Sequence, residues 1–149
     1  MLFTVTPLTP QDVPAVKQLL IAGLSERWGA YDSRYNPDIE SFQSHYADSF
    51  TLVAKSAGVV VGTGTLRPIG ARRAEIVRMS TAIGSRRHGV AGQILKLLLD
   101  HARAVGVQEV VLETTSSWAS AVAFYTKHGF ARTHEQDGDT HFIHRLGNA

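Results

Sequence analysis

Residues 75–101 set a strand pattern, a basic turn and a helix pattern end to end, and few folds accept that order. Glu75-Ile76-Val77-Arg78-Met79-Ser80-Thr81 alternates in the manner of a half-buried strand. Val90, Ile94, Leu97, Leu98 and His101 then recur at helical spacing. Between them stands Arg86-Arg87-His88-Gly89-Val90-Ala91-Gly92. Gly89 has no Cβ, so backbone there can come close to a ligand. The first amides of a helix lack internal acceptors and point outward. The helix dipole makes that end positive, and Arg86 and Arg87 add charge. The segment reads as a cradle for a pyrophosphate.

The rest of the chain supplies more of both patterns. Leu2 to Thr6 is expected to form a first strand, ended by Pro7 and Pro10. Thr9 is expected to cap a helix whose apolar face is Val13, Val16, Leu19, Leu20 and Leu24. Residues 28–38 read as a loop and Asp38 to Asp48 as a second, shorter helix. Phe50 to Lys55 and Val59 to Arg67 form a hairpin about Ser56-Ala57-Gly58. After the strand over Glu75 to Thr81 come the main helix, Gly89 to Val105, and a strand over Glu109 to Thr114. A helix from about Trp118 to His128 follows. Ala131 to Gln136 and Thr140 to Leu146 close the chain as a hairpin about Asp137-Gly138. No repeat, linker or low-complexity stretch divides the 149 residues, so residues 1–149 are expected to be one domain.

Spacing excludes the commoner phosphate motifs. No G-x-x-x-x-G-K-[ST] occurs, and no G-x-G-x-x-G follows an early strand. What occurs is Arg86-x-x-Gly89-x-Ala91. It follows Ala74-Glu75-Ile76-Val77-Arg78-Met79 and precedes the strand Val110-Val111-Leu112-Glu113-Thr114. Beyond that lies Ala121-Val122-Ala123-Phe124-Tyr125-Thr126-Lys127-His128-Gly129-Phe130. This chain resembles the GNAT superfamily of acyl-CoA-dependent N-acetyltransferases. The signature [RQ]-x-x-G-x-[GA], the fourth strand before it and the block A-x-x-[FL]-Y-x-x-x-G-F stand in the family's order over residues 74–130.

The resemblance implies an α/β fold: a mixed, largely antiparallel sheet of about six or seven strands flanked by about four helices. The sheet would splay at the strands after Glu75 and Glu109. It implies acetyl-CoA as cosubstrate. Arg86, Arg87, His88, Gly89, Val90, Ala91 and Gly92 would hold its pyrophosphate, and Met79, Ser80 and Thr81 would pair with pantetheine. Main chain near Met79 or Ser80 would donate to the oxyanion. Tyr125 would reach the sulfur and act as general acid. Its phenol has a reference pKa of about 10, and the departing thiolate about 8.5. Glu75 lies 11 positions before Arg86, as the base glutamate does in the superfamily's histone acetyltransferases. It could take the amine proton directly or through water, or it could be a strand carboxylate in solvent. Two positions depart from the family. Trp118 stands seven before Tyr125, where an asparagine often bonds pantetheine, and Arg87 replaces a small residue. Tryptophan's side chain cannot accept a hydrogen bond.

Acceptor recognition falls outside the resemblance. Glu26, Trp28 and Tyr31, read as loop residues, could offer a carboxylate and an aromatic wall to a cationic amine, or the segment could simply pack over the core. The acceptor is expected to be a small-molecule or peptide amine. The histidines show no HExxH spacing and no metal triad, so no metal is expected. His88 alone lies inside the cradle. The chain has no cysteine, which excludes disulfides and a thiol nucleophile. Hydrophobic residues are 44% and charged residues 19%, ordinary for a globular protein. With no apolar run of membrane length and no signal-peptide layout, no membrane partner and a cytoplasmic location are expected. Eleven of the 15 basic residues are arginine, without the long basic stripe that nucleic acid needs. A homodimer is among the assemblies this reading admits. The rival function is a catalytically silent, CoA-binding regulatory module.

Overall fold

The computed structural model describes residues 1–147. Its strands are β1 (Thr4–Pro7), β2 (Phe50–Ser56), β3 (Val59–Gly70), β4 (Arg73–Thr81), β5 (Glu109–Thr115), β6 (Ala131–Gln136) and β7 (Asp139–Arg145). Its helices are α1 (Val13–Trp28), α2 (Pro37–Glu40), α3 (Phe42–His45), α4 (Val90–Ala104) and α5 (Ala119–Lys127). The strands form a seven-stranded sheet of order β1-β2-β3-β4-β5-β7-β6. Pairing is antiparallel for β1–β2, β2–β3, β5–β7 and β6–β7. Strands β4 and β5 run parallel, and their register covers only Arg73↔Glu109 to Glu75↔Val111. Both strands continue past it, as expected of a sheet that splays there. The mixed, mostly antiparallel fold is the one the sequence implies.

The chain divides into two units, Met1–Arg67 with Val77–Leu98, and Pro68–Ile76 with Leu99 onward. In the first, Ser56 pairs with Val59 across a two-residue turn whose Ala57 (φ 50°) and Gly58 (φ 79°) are both left-handed. That geometry matches strand twist, hence the tight hairpin. Val16 and Leu20 from α1, Ile39, Phe42, Tyr46 and Val53 form a buried cluster, with Tyr31 and Val77 packed against it. Two strand glycines decide how closely α4 lies on the sheet. A Cβ on Gly62 would stand 2.6 Å from Val90 Cγ1, and one on Gly64 would stand 3.0 Å from Ile94 Cγ2 and 3.3 Å from Leu98 Cδ1. With no side chain at either position, the first turns of α4 sit directly on β3, which fixes where its N-terminus emerges. In the second unit, β6 and β7 join through Asp137 (φ 54°) and Gly138 (φ 84°). Tyr125, Phe130 and Phe142 are buried there with Val110, Leu112 and Val122.

Several boundaries differ from expectation. Strand β1 starts at Thr4 and includes Pro7, which faces Leu52 in the register. An edge strand tolerates proline because the missing N–H faces no neighbour. Thr9 precedes a 3₁₀ turn, Pro10–Asp12, rather than α1 itself, and its amide and hydroxyl both donate to Asp12 Oδ2 (3.0 and 2.9 Å). The helix expected over Asp38 to Asp48 is instead the two single turns α2 and α3, parted at Ser41 (φ −109°, ψ 38°). Serine and aspartate side chains compete with helical hydrogen bonds. Here Ser44 Oγ donates to the Ser41 carbonyl (3.1 Å), and Asp38 is drawn to Arg78 of β4. No helix among the described residues is long and apolar enough to cross a membrane.

Candidate functional site

Within the first unit the turn expected as a phosphate cradle lies between the end of β4 and the start of α4. A short 3₁₀ turn, Ile83–Ser85, leads into it, anchored by the Ala82 amide on the Val61 carbonyl (2.8 Å). Arg87 (φ 66°) and Gly89 (φ 83°) are both left-handed. Glycine adopts that conformation freely, and nothing lies within 4 Å of where a Gly89 Cβ would stand. The first helical bond is Gln93 N–H to the Gly89 carbonyl (3.0 Å). The amides before Gln93 therefore open the helix without intrahelical acceptors. Arg87, His88 and Gly89 are exposed, Val90 is buried, and Ala91 and Gly92 are half-buried. Neither Arg87 nor His88 has a partner among the described residues. A left-handed arginine holds backbone strain that a branched side chain would worsen. Arg87→Val is expected to lower stability by about 1–2 kcal/mol in urea denaturation, and Arg87→Gly to change it little.

Arg86 is placed differently. Its guanidinium donates from Nη1 and Nη2 to the Glu26 carboxylate (2.9 and 2.6 Å), and from Nε to the Thr81 carbonyl (3.3 Å). The Arg86 hydrogen bonds pull the Glu26 carboxyl below its ordinary range, against a smaller effect of burial. Glu26 and Trp28, expected in a loop, belong to the last turn of α1, which runs to Trp28 and ends at Gly29 (φ 81°). The helix persists because a left-handed glycine after Trp28 supplies its C-terminal cap one turn later than the sequence reading placed it. Trp28 is 62% exposed. Tyr31 packs against the core, and its hydroxyl donates to Glu40 Oε2 (2.6 Å). Burial, then that carboxylate, push the Tyr31 phenol up to about 12. Of the three acceptor candidates, one carboxylate and one hydroxyl are thus engaged within the protein.

Strand β4 carries Met79, Ser80 and Thr81 at its end, all half-buried. Ser80 Oγ lies beside Gly23 of α1, where a Cβ would meet it at 2.9 Å. Just before them, Arg78 has φ 54°, a left-handed residue that kinks a strand as a β-bulge does. Its guanidinium donates to both Asp38 oxygens (2.7 and 2.8 Å) and to Asn36 Oδ1 (3.1 Å), while the Tyr46 hydroxyl donates to Asp38 Oδ2 (2.6 Å). Burial alone would raise Asp38, but the Arg78 and Tyr46 hydrogen bonds outweigh it and hold the carboxyl at about 2. Burial and Asp38 push the Tyr46 phenol well up. The sequence reading missed this cluster. Asp38 and Arg78 lie 40 residues apart, and no local pattern pairs them.

In the second unit, Glu75 is half-buried on β4 opposite Val111. Tyr125 is 8% exposed on α5, and its ring lies 5.2 Å from Phe124, 5.9 Å from Phe130 and 6.0 Å from Phe142. Trp118 is the residue before α5. A cavity of about 480 Å³ opens by Arg72, Arg73, Gln108 and Glu109, at the start of β4. Glu109 already bridges Arg73 (3.1 Å) and Arg145 (3.5 Å), so most of its charge is met internally. Among the described residues no group of three or more histidines and carboxylates is arranged to hold a metal ion.

A family model described as Acetyltransferase (GNAT) family matches residues 13–130. Mouse N-acetyltransferase 8 is 33% identical over 144 residues, which cover 84% of this chain and 63% of the mouse protein. An acetyltransferase of the GNAT family from Staphylococcus aureus superposes with a TM-score of 0.89 at 14% identity, covering 98% of this chain and 100% of that one. PaiA N-acetyltransferase from Thermoplasma acidophilum, solved with coenzyme A, superposes at 0.80 with 18% identity over 98% of this chain and 100% of that one. At such identities the solved structures share the fold.

Proposed function

The chain belongs to the GNAT acetyltransferase family, and from that premise we propose that it moves an acetyl group from acetyl-CoA to a primary amine. The observation that carries the reading is the turn before α4: an open, left-handed Gly89, an exposed Arg87 without a partner among the described residues, and outward helix amides. A dianionic pyrophosphate suits such a turn, since amides and dipole both favour anions. In this reading the turn from Arg86 to Gly92 frames the phosphate site, and Met79 to Thr81 hold pantetheine. The amine nitrogen attacks the thioester carbon, the C–S bond breaks, and the amine loses one proton. Glu75 takes that proton directly or through water. Tyr125 gives its phenolic proton to the leaving thiolate. The left-handed Arg78 supports the oxyanion role of main chain at Met79, because a kink in the strand turns an amide out of the ladder. The acceptor is a small-molecule or peptide amine.

Acetyl-CoA binding is the first test. A ligand confined to the native state at a hundredfold excess over its Kd adds about 2.7 kcal/mol to stability, so the melting temperature must rise. Gly89→Asp is expected to abolish the rise while the fold survives. Asp tolerates a left-handed backbone, and its carboxylate would face the pyrophosphate. No rise in the wild type would remove the reading. Binding without turnover across a broad amine panel would favour a CoA-binding regulatory module instead, the reading that Trp118 supports.

A further inference from the structure

Two arginines stand side by side at the head of the cradle, and their surroundings are unlike. Arg86 donates through three nitrogens to protein acceptors, two of them on one carboxylate in the parallel fork that arginine and glutamate form best. Arg87 has no partner among the described residues. The Arg86–Glu26 pair cancels its own charge. The positive charge the turn presents to an anion is therefore that of Arg87.

The place of Glu26 sharpens the point. It lies in the last turn of α1, where the helix dipole disfavours a carboxylate. Its charge is offset by Arg86, whose Nε also binds the carbonyl of Thr81, the last residue of β4. One side chain thus joins the end of α1, the end of β4 and the first residue of the turn. Immediately after it the backbone enters its two left-handed residues, Arg87 and Gly89. A turn with such backbone needs its start held if its amides are to be set before ligand arrives.

We propose that Arg86 is a positioning residue that does not touch phosphate. The Glu26–Arg86–Thr81 clamp presets the turn, and Arg87 with the main-chain amides holds the anion. Glu26 then acts through Arg86, not as a contact to the acceptor amine. The inference rests on the acetyl-CoA reading above and deepens it.

The sign of one effect decides the matter. If the clamp presets the turn, Glu26→Ala weakens acetyl-CoA binding by about fivefold, and Arg86→Ala does the same. If instead Arg86 is a phosphate ligand held back by Glu26, Glu26→Ala frees it and tightens binding. Calorimetry with acetyl-CoA on the full chain reads this directly. The exchanged pair, Glu26→Arg with Arg86→Glu, is the second measurement. It restores part of the lost binding free energy if the two act as a clamp, the Thr81 bond staying lost because a carboxylate cannot donate to that carbonyl, and it loses affinity beyond either single variant if residue 86 contacts phosphate. Arg87→Gly, which suits the local backbone, is expected to cost more affinity than Arg86→Ala. In steady state the clamp variants raise KM for acetyl-CoA and leave kcat within about twofold, a split that general loss of folded protein would not produce. Tighter binding in Glu26→Ala, or no rescue by exchange, overturns the proposal. Absence of acetyl-CoA binding in the wild type overturns the cofactor reading first, and this inference with it.

Discussion

Asp38→Ala is expected to lower the free energy of unfolding by about 3 kcal/mol, and the melting temperature by about 10 °C. The side chain of Asp38 is 14% exposed and that of Arg78 23%. Deleting the carboxylate strands a half-buried guanidinium and leaves the Tyr46 hydroxyl without its 2.6 Å acceptor. Removing both charges is less costly than removing one, because the desolvation of each is then avoided. Asp38→Leu with Arg78→Met should therefore recover much of the single-variant loss in urea denaturation. The pH dependence has a fixed sign. Asp38 ordinarily titrates near 3.8 and is held at about 2 in the fold. Its stabilisation is thus complete above about pH 4 and is lost as pH falls through about 2. The acid limb of the wild-type stability curve should lose its steepest part in Asp38→Ala. A variant as stable as wild type at pH 7 would show that the pair contributes nothing net.

Tyr125→Phe should reduce turnover about 10²-fold or more and leave acetyl-CoA affinity nearly unchanged. The ring is packed against Phe124, Phe130 and Phe142, so a phenylalanine keeps those contacts and the fold. What disappears is the proton that the proposed mechanism sends to the thiolate sulfur. Single-turnover measurement with an accepted amine separates this from slower product release. Unchanged chemistry would make the phenol a packing group and leave water to protonate the sulfur. Glu75→Gln should likewise lower turnover under conditions where the wild type is fully active, because an amide cannot accept the amine proton.

Local chemistry made much of this molecule legible. Asp137-Gly138 between two alternating segments specifies a two-residue hairpin, and the hairpin is there. The strand, basic turn and apolar helix of residues 73–104 appear in that order because apolar periodicity and turn chemistry are written locally in each segment. The stretch from Glu26 to Asp48 was read less well. Its helix end depends on a single glycine conformation, and its second helix breaks at Ser41, with the Asp38 side chain bonded to Arg78 of β4.

The sequence by itself determined the strand and helix order and the chemistry available at the cradle, because backbone hydrogen bonding and apolar periodicity act over a few residues. Only the tertiary structure decided which charges remain free. Arg86 and Arg87 are alike in sequence, yet one is neutralised by Glu26, 60 residues away, and the other has no partner among the described residues. Arg78 finds Asp38 across 40 residues, and that pairing, not the strand pattern, accompanies the kink before Met79. Charge partners of this kind are set by which surfaces the apolar core brings together. Local periodicity carries no information about them, since the two members of each pair belong to elements that meet only after the core has formed.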